Sequence, residues 1–256
     1  MSSQLRSRFI PVLLYSNNGF VKTFNFKNPK YLGDPINVIK IFNEKNVNEI
    51  TIFDIDVSSK GTNINFELLK RVSRESRMPV CYGGGVKDVE TAEKLLSIGI
   101  EKISLSSAAI LNPKLIEMIS NRIGKQSVVI TLDVKKKWAG SYEIYLNNGK
   151  TNTGISLAEF LTNLDYNFVG EVCINSIDKD GSNDGYDLSL IKKYYKEIKS
   201  HATFVGGCNS INEITNIFKD YSPIGLGASS YVVLKGKFKA VLISYPTEEL
   251  NTFHGL

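Results

Sequence analysis

The 256 residues are 42% hydrophobic and 22% charged, a balance that suits a globular chain with room for one large domain or two small ones. No apolar run is long enough to span a bilayer, and the polar start over residues 1–8 lacks the apolar core of a signal peptide, so the reading is a cytoplasmic chain without a membrane partner. A net charge of +5 without interleaved aromatic and basic residues argues against nucleic acid and is compatible with an anionic small-molecule substrate.

In chain order, short apolar runs alternate with longer helical patterns. Strands are expected at 9–14, 49–54, 80–82, 102–105, 128–132, 170–174, 203–205 and 224–226. Runs such as Val128-Val129-Ile130 are apolar on both faces, as in buried parallel strands. Asp34-Pro35 reads as an N-cap followed by proline in the first turn, and Asn112-Pro113 repeats the device. Asp88 opens a helix that Gly99 closes, and Gly124 ends another. Ser156 with Glu159, and Ser210 with Glu213, have capping-box spacing. A hairpin around Asn147-Asn148-Gly149 interrupts the pattern over 142–153, and the Lys135-Lys136-Lys137 run reads as a solvated turn.

Eight strand-helix alternations make a closed barrel or a doubly wound sheet. An internal repeat decides between them. One spacing, close to half the chain, separates Glu49 from Glu171, Asp56 from Asp178 and Ser107 from Ser229. Within one residue it also separates Gly84 from Gly207 and Gly33 from Gly154. Two such halves closing on each other leave no exposed edge. The expectation is a single (β/α)8 barrel over 1–256, with half-barrels near 1–123 and 124–245 and a tail at 246–256.

In such barrels the chemistry sits at the C-terminal ends of the strands. Gly84 and Gly85 after strand three, with Ser106 and Ser107 after strand four, make one candidate phosphate site. Gly206 and Gly207 after strand seven, with Ala228 and Ser229 after strand eight, make a second. Glycine lets backbone N–H groups approach a phosphate, although glycines after strands also serve as plain tight turns. Asp133 ends strand five and is a candidate general acid or base, or a structural carboxylate bonded to Lys135 or a loop amide. Asp54, Asp178 and Asp180 either position ligand hydroxyls or shape loops. At the opposite end Arg8, Glu49, Lys102 and Glu171 open their strands, and by position alone they read as a salt-bridged ring that closes the barrel. Cys81, Cys173 and Cys208 are widely spaced and suit buried positions in or beside strands. His201 and His254 fit a loop and the tail. Nothing in the pattern calls for a metal or an organic cofactor.

Several segments together resemble the cyclase subunit of imidazole glycerol phosphate synthase, nearly end to end. They are Arg8-Phe-Ile-Pro-Val-Leu, Gly33-Asp34-Pro35, Gly83-Gly84-Gly85, Lys102 with Ser106-Ser107-Ala108-Ala109, the 128–135 segment, Lys150-Thr-Asn-Thr-Gly154, and the 175–185 segment with Tyr186-Asp187. The resemblance implies that two phosphates of a ribulosyl intermediate bind at the two glycine-serine sites, with Lys22, Asp180 and Gly181 among the binding residues. It implies a glutaminase subunit docked at the bottom face, with Glu101 as an acidic contact. Ammonia would then enter through a gate of Arg8, Glu49, Lys102 and Glu171. The family places a catalytic aspartate in each half. Asp133 matches the second, and the first falls on Leu14, which cannot transfer a proton; Tyr15 or Ser16 is the alternative donor.

The segment Val21-Lys22-Thr23 with Phe26-Lys27-Asn28-Pro29, and the ending from Gly236 to Pro246, are similar to a cyclase-like branch in acetamidino modification of surface sugars. That branch implies ammonia transfer to an ATP-dependent sugar-modifying partner. An authentic cyclase-lyase of histidine biosynthesis, and a non-catalytic docking barrel for a glutaminase, are the competing expectations.

Overall fold

The computed structural model describes residues 6–24 and 27–255. The first five residues and Phe26, both used above, lie outside that range. The architecture is a closed (β/α)8 barrel. Its strands are β1 (Arg8–Ser16), β2 (Ile50–Asp54), β3 (Val80–Gly83), β4 (Lys102–Leu105), β5 (Val128–Lys136), β6 (Glu171–Ser176), β7 (His201–Val205) and β8 (Gly225–Ala228). Neighbours pair in parallel around the ring, and β8 returns to β1 with Arg8 opposite Gly225.

The outer helices are α1 (Pro35–Glu44), α2 (Phe66–Glu75), α3 (Val89–Ser97), α4 (Lys114–Ile123), α5 (Leu157–Asn163), α6 (Leu188–Tyr194), α7 (Ile211–Asp220) and α8 (Thr247–His254). Their apolar faces pack on the outside of the strands; Ile39, Phe42, Leu95, Ile119 and Ile214 are all buried there. Side-chain caps fix the helix starts. Asp34 accepts from the Ile36 and Asn37 amides, Asp88 from Thr91, Ser156 from Glu159 and Ser210 from Glu213. Glu213 does not reach back to its cap in return. Its carboxylate accepts from the Tyr186 amide at 2.7 Å and the Asn209 amide at 3.2 Å, tying the loop before α6 to α7.

Four local expectations are corrected. Asn112 does not cap α4: the residue before the helix is Pro113, which makes no side-chain cap bond, while Asn112 ends the short helix Ser107–Leu111. The lysine run is not a turn; Lys135 and Lys136 continue β5 and pair antiparallel with the strand Tyr142–Leu146. His201 begins β7 rather than sitting in a loop. A further hairpin, Gly19–Phe24 with Lys27–Gly33, follows β1. The segment after residue 246 is α8, which lies against α7: Leu250 is buried and the Phe253 ring lies 5.8 Å from Phe218.

The inward faces of the strands position the site. Because side chains alternate, every second residue points into the lumen. Along β1 the sequence Arg8, Ile10, Val12, Leu14 climbs from the bottom of the barrel to its mouth, and along β6 Glu171, Cys173 and Asn175 do the same. Among the described residues no helix is long and apolar enough to cross a membrane.

Truncating Leu250 to alanine is expected to lower the unfolding free energy by about 2–3 kcal/mol, the cost of a cavity between α8 and the barrel, as measured by urea denaturation.

Candidate active site

At the bottom of the lumen two cations and two carboxylates alternate in a closed ring. Arg8 bonds Glu49 and, at 3.0 Å, Glu171; Lys102 bonds Glu49 at 2.6 Å and Glu171 at 2.9 Å. Thr203 donates a further hydrogen bond to Glu171 at 2.5 Å. Both glutamates are buried. Burial pushes the Glu171 carboxyl up, but Arg8, Lys102 and Thr203 outweigh it and hold the group ionised. Burial likewise opposes the charges of Arg8 and Lys102, and their glutamate partners overcome it.

Above the ring is a cavity of about 10 Å3, lined by Val12, Thr51, Cys81, Cys173, Thr203 and Val205 among others. That is room for about one water-sized molecule. Phe53 and Thr131 border both this space and the mouth pocket above it, so they form the constriction between the two. The cysteines are free and buried, and burial raises the thiol pKa of Cys81 and Cys173, so neither is poised as a nucleophile.

The mouth pocket is about 170 Å3 and contains Asp133, Leu14, Phe53, Gly84, Gly85, Ser106 and Ser107. Asp133 projects from β5, and Asn175 of β6 donates to it at 2.8 Å. Burial raises its pKa to about 6; the Asn175 bond acts against the rise and the charge of Asp180 adds to it. A carboxyl so placed can hold or release a proton near neutral pH. Leu14 stands in the same pocket with its side chain partly exposed. Neither Tyr15 nor Ser16 replaces it: the Tyr15 hydroxyl bonds Asn18 at 3.1 Å, Ser16 bonds Asp56 at 2.8 Å, and neither lines the pocket. Asp54 accepts from the Asp56 and Val57 amides and shapes the loop after β2. Asp178 accepts from the Lys136 amide at 2.9 Å, mirroring the bond from the Asn17 amide to Asp56 in the first half.

The second glycine-serine site is tighter, about 20 Å3, and is lined by Lys22, Asp180, Gly181, Gly206, Gly207 and Ser229 with Ala228 beside them. Lys22 is fully buried and pairs with Asp180 at 2.9 Å. The other Asp180 oxygen and the hydroxyls of Ser229 and Ser230 are buried without partners, as expected where a polar ligand completes the bonding. The glycines have backbone reasons as well. Gly84 and Gly206 have φ of +139° and +106°, and a Cβ on Gly84 would lie 2.6 Å from the Asp54 carbonyl oxygen. Glu101 is exposed on the bottom side, where its carboxylate accepts from the Val80 amide at 2.7 Å. Sequence reasoning missed Asn175, Phe53 and Thr131, although each sits two residues along its strand from an inward residue already singled out or found here.

A family model described as histidine biosynthesis protein matches residues 8–233. The chain belongs to this family. A protein of Vibrio vulnificus named "Putative imidazole glycerol phosphate synthase subunit" is 45% identical over 244 residues, covering 95% of this chain and 94% of its own length. One of Leptospira borgpetersenii with the same description is 44% identical, covering 94% and 96%. An imidazole glycerol phosphate synthase subunit of Lactococcus lactis subsp. cremoris is 37% identical over 229 residues, covering 89% and 88%. These matches place the barrel with the cyclase subunits that the sequence resembles; none of the names refers to an acetamidino sugar.

Two outcomes follow for this family member. Lys102→Met leaves two buried carboxylates with one cation and is expected to destabilise the fold by about 2 kcal/mol, less than a fully buried pair because Lys102 is 20% exposed. The loss is read from urea titrations at neutral pH, where wild-type Glu171 is held ionised. For Asp133 the folded pKa lies above the unfolded value, so its contribution is full below about pH 4 and is lost as pH rises through about 6. Asp133→Asn is therefore expected to gain up to about 2–3 kcal/mol relative to wild type between pH 4 and 7, by the same measurement.

Proposed function

We propose that the chain is the ammonia-using cyclase subunit of an imidazole glycerol phosphate synthase, working in the cytoplasm with a glutaminase subunit on its bottom face. One observation carries this reading: the charged ring, the small lumen cavity and Asp133 lie in sequence along one axis, from the face opposite the mouth to the pocket itself. The names of the relatives support the same reaction. Ammonia released at the bottom would pass the ring, which must open one of its ion pairs, then move through the lumen as a neutral molecule. The phosphorylated substrate would lie across the mouth, with its anionic ends at the Gly84–Ser107 and Gly206–Ser229 sites. Asp133, held by Asn175, would move the protons that carbon–nitrogen bond formation and ring closure require.

Leu14 favours a second reading. With one carboxylate in the pocket instead of two, the barrel would deliver ammonia without cyclising, and an ATP-dependent partner would use it to form an acetamidino sugar.

Conversion of the ribulosyl intermediate with excess ammonium separates the two. Under the first reading wild type turns over, and Asp133→Asn slows it by at least about 100-fold. Under the second reading wild type is inert, while Leu14→Asp gains turnover if the rest of the site is intact. Wild-type inactivity would overturn the cyclase reading.

A further inference from the structure

Two hairpins stand side by side on the rim of the mouth, one after β1 and one after β8. In the first, Gly19–Phe24 pairs with Lys27–Gly33. In the second, Leu234–Lys235 pairs with Ala240–Val241, and the Lys239 amide closes the turn on the Gly236 carbonyl at 3.0 Å. The two touch, because the Lys30 ammonium donates to the Lys239 carbonyl at 2.6 Å. Closure of β8 on β1 brings them together, and segments that lead past barrel strands emerge at the C-terminal face.

Their outer parts are apolar and yet face solvent. Phe238 is 83% exposed, Tyr31 62% and Leu242 58%, with Val241 also exposed. Packing does not call for them, since Val233 and Leu234 already anchor the second hairpin in the core. Grouped exposed apolar side chains mark an interaction surface. Lys30, Lys235, Lys237 and Lys239 accompany them, and the segments 28–33 and 231–246 contain no Asp or Glu. A local charge of +4 against +5 for the whole chain concentrates much of the excess positive charge on this rim. The identity of the cations decides between partners. Protein interfaces favour arginine and are poor in lysine, and every cation here is lysine. Lysine beside phenylalanine, tyrosine and leucine is the composition of a bilayer interface, where apolar tips enter between headgroups and ammonium groups reach anionic lipid phosphates.

We propose that the paired hairpins form a peripheral docking surface for an anionic lipid bilayer. Phe238, Val241 and Leu242 enter the headgroup region, and the four lysines hold the lipid phosphates. Docking turns this side of the mouth rim towards the lipid. The lack of a spanning or signal segment, read from the sequence, does not bear on peripheral docking, which needs neither. The inference is independent of the reaction and holds under either reading of the function.

Co-sedimentation of the full chain with vesicles tests this. One set is pure phosphatidylcholine, and the other contains roughly one-third phosphatidylglycerol. The anionic vesicles are expected to bind at least about 10-fold more tightly, and the binding weakens as salt is added. Lys235→Gln together with Lys237→Gln should weaken it by roughly 10–30-fold. Phe238→Ser together with Leu242→Ser should weaken it by about 10-fold. Met118→Ser, at an exposed apolar residue of α4, should leave it unchanged. All these side chains lie at the surface, and a wild-type urea midpoint shows that each variant is folded. Equal binding to both vesicles, full binding by the Phe238 and Leu242 variant, or an equal loss with Met118→Ser would overturn the proposal. So would a wild type that ignores both vesicles, and the patch would then belong to an acidic protein partner.

Discussion

Closure of a parallel sheet into a narrow barrel leaves a lumen that half of every strand's side chains must fill. Water is nearly absent there, so each polar group on that face needs a partner. The three levels of the lumen answer this constraint in different ways. At the bottom, four charges neutralise one another in a ring. In the middle, valines, cysteines and threonines pack around a space of about 10 Å3. At the top, Asp133 accepts a hydrogen bond from Asn175 and faces the mouth pocket.

The two ends are therefore electrostatically opposite in kind. The ring holds its carboxylates ionised because two cations share them, and it resists disruption because removing any member strands the others. Among the described residues no cation stands against Asp133, and burial lifts its pKa to about 6. Fixed charge at one end and a movable proton at the other suit a path that takes in a small neutral molecule and uses it in acid–base chemistry. The constriction at Phe53 and Thr131 lies between these two regimes.

The repeat also explains where symmetry breaks. Asp56 and Asp178 hold matching loops through backbone amides, so the scaffolds of the halves are equivalent. The inward residues at the mouth are not: Leu14 faces the pocket where Asp133 does in the other half. Lys22 is locked to Asp180 beside the second site, whereas Lys87 beside the first has no ion pair among the described residues.

Much of this was legible in the chain itself. The eight strands and the barrel follow from apolar runs, helix caps and the internal repeat, all local or repeated signals. The positions of Asp133 at the mouth and of the four charges at strand starts follow from the same register. The sequence pointed to a salt-bridged ring of Arg8, Glu49, Lys102 and Glu171, but it could not say that each cation bridges both carboxylates, because that pairing depends on strand stagger around the barrel. Nor could it place Asn175 on Asp133, open the first site while closing the second, or turn Tyr15 and Ser16 away from the pocket. Those outcomes come from contacts between residues far apart in the chain, and only the closed tertiary structure brings them within bonding distance.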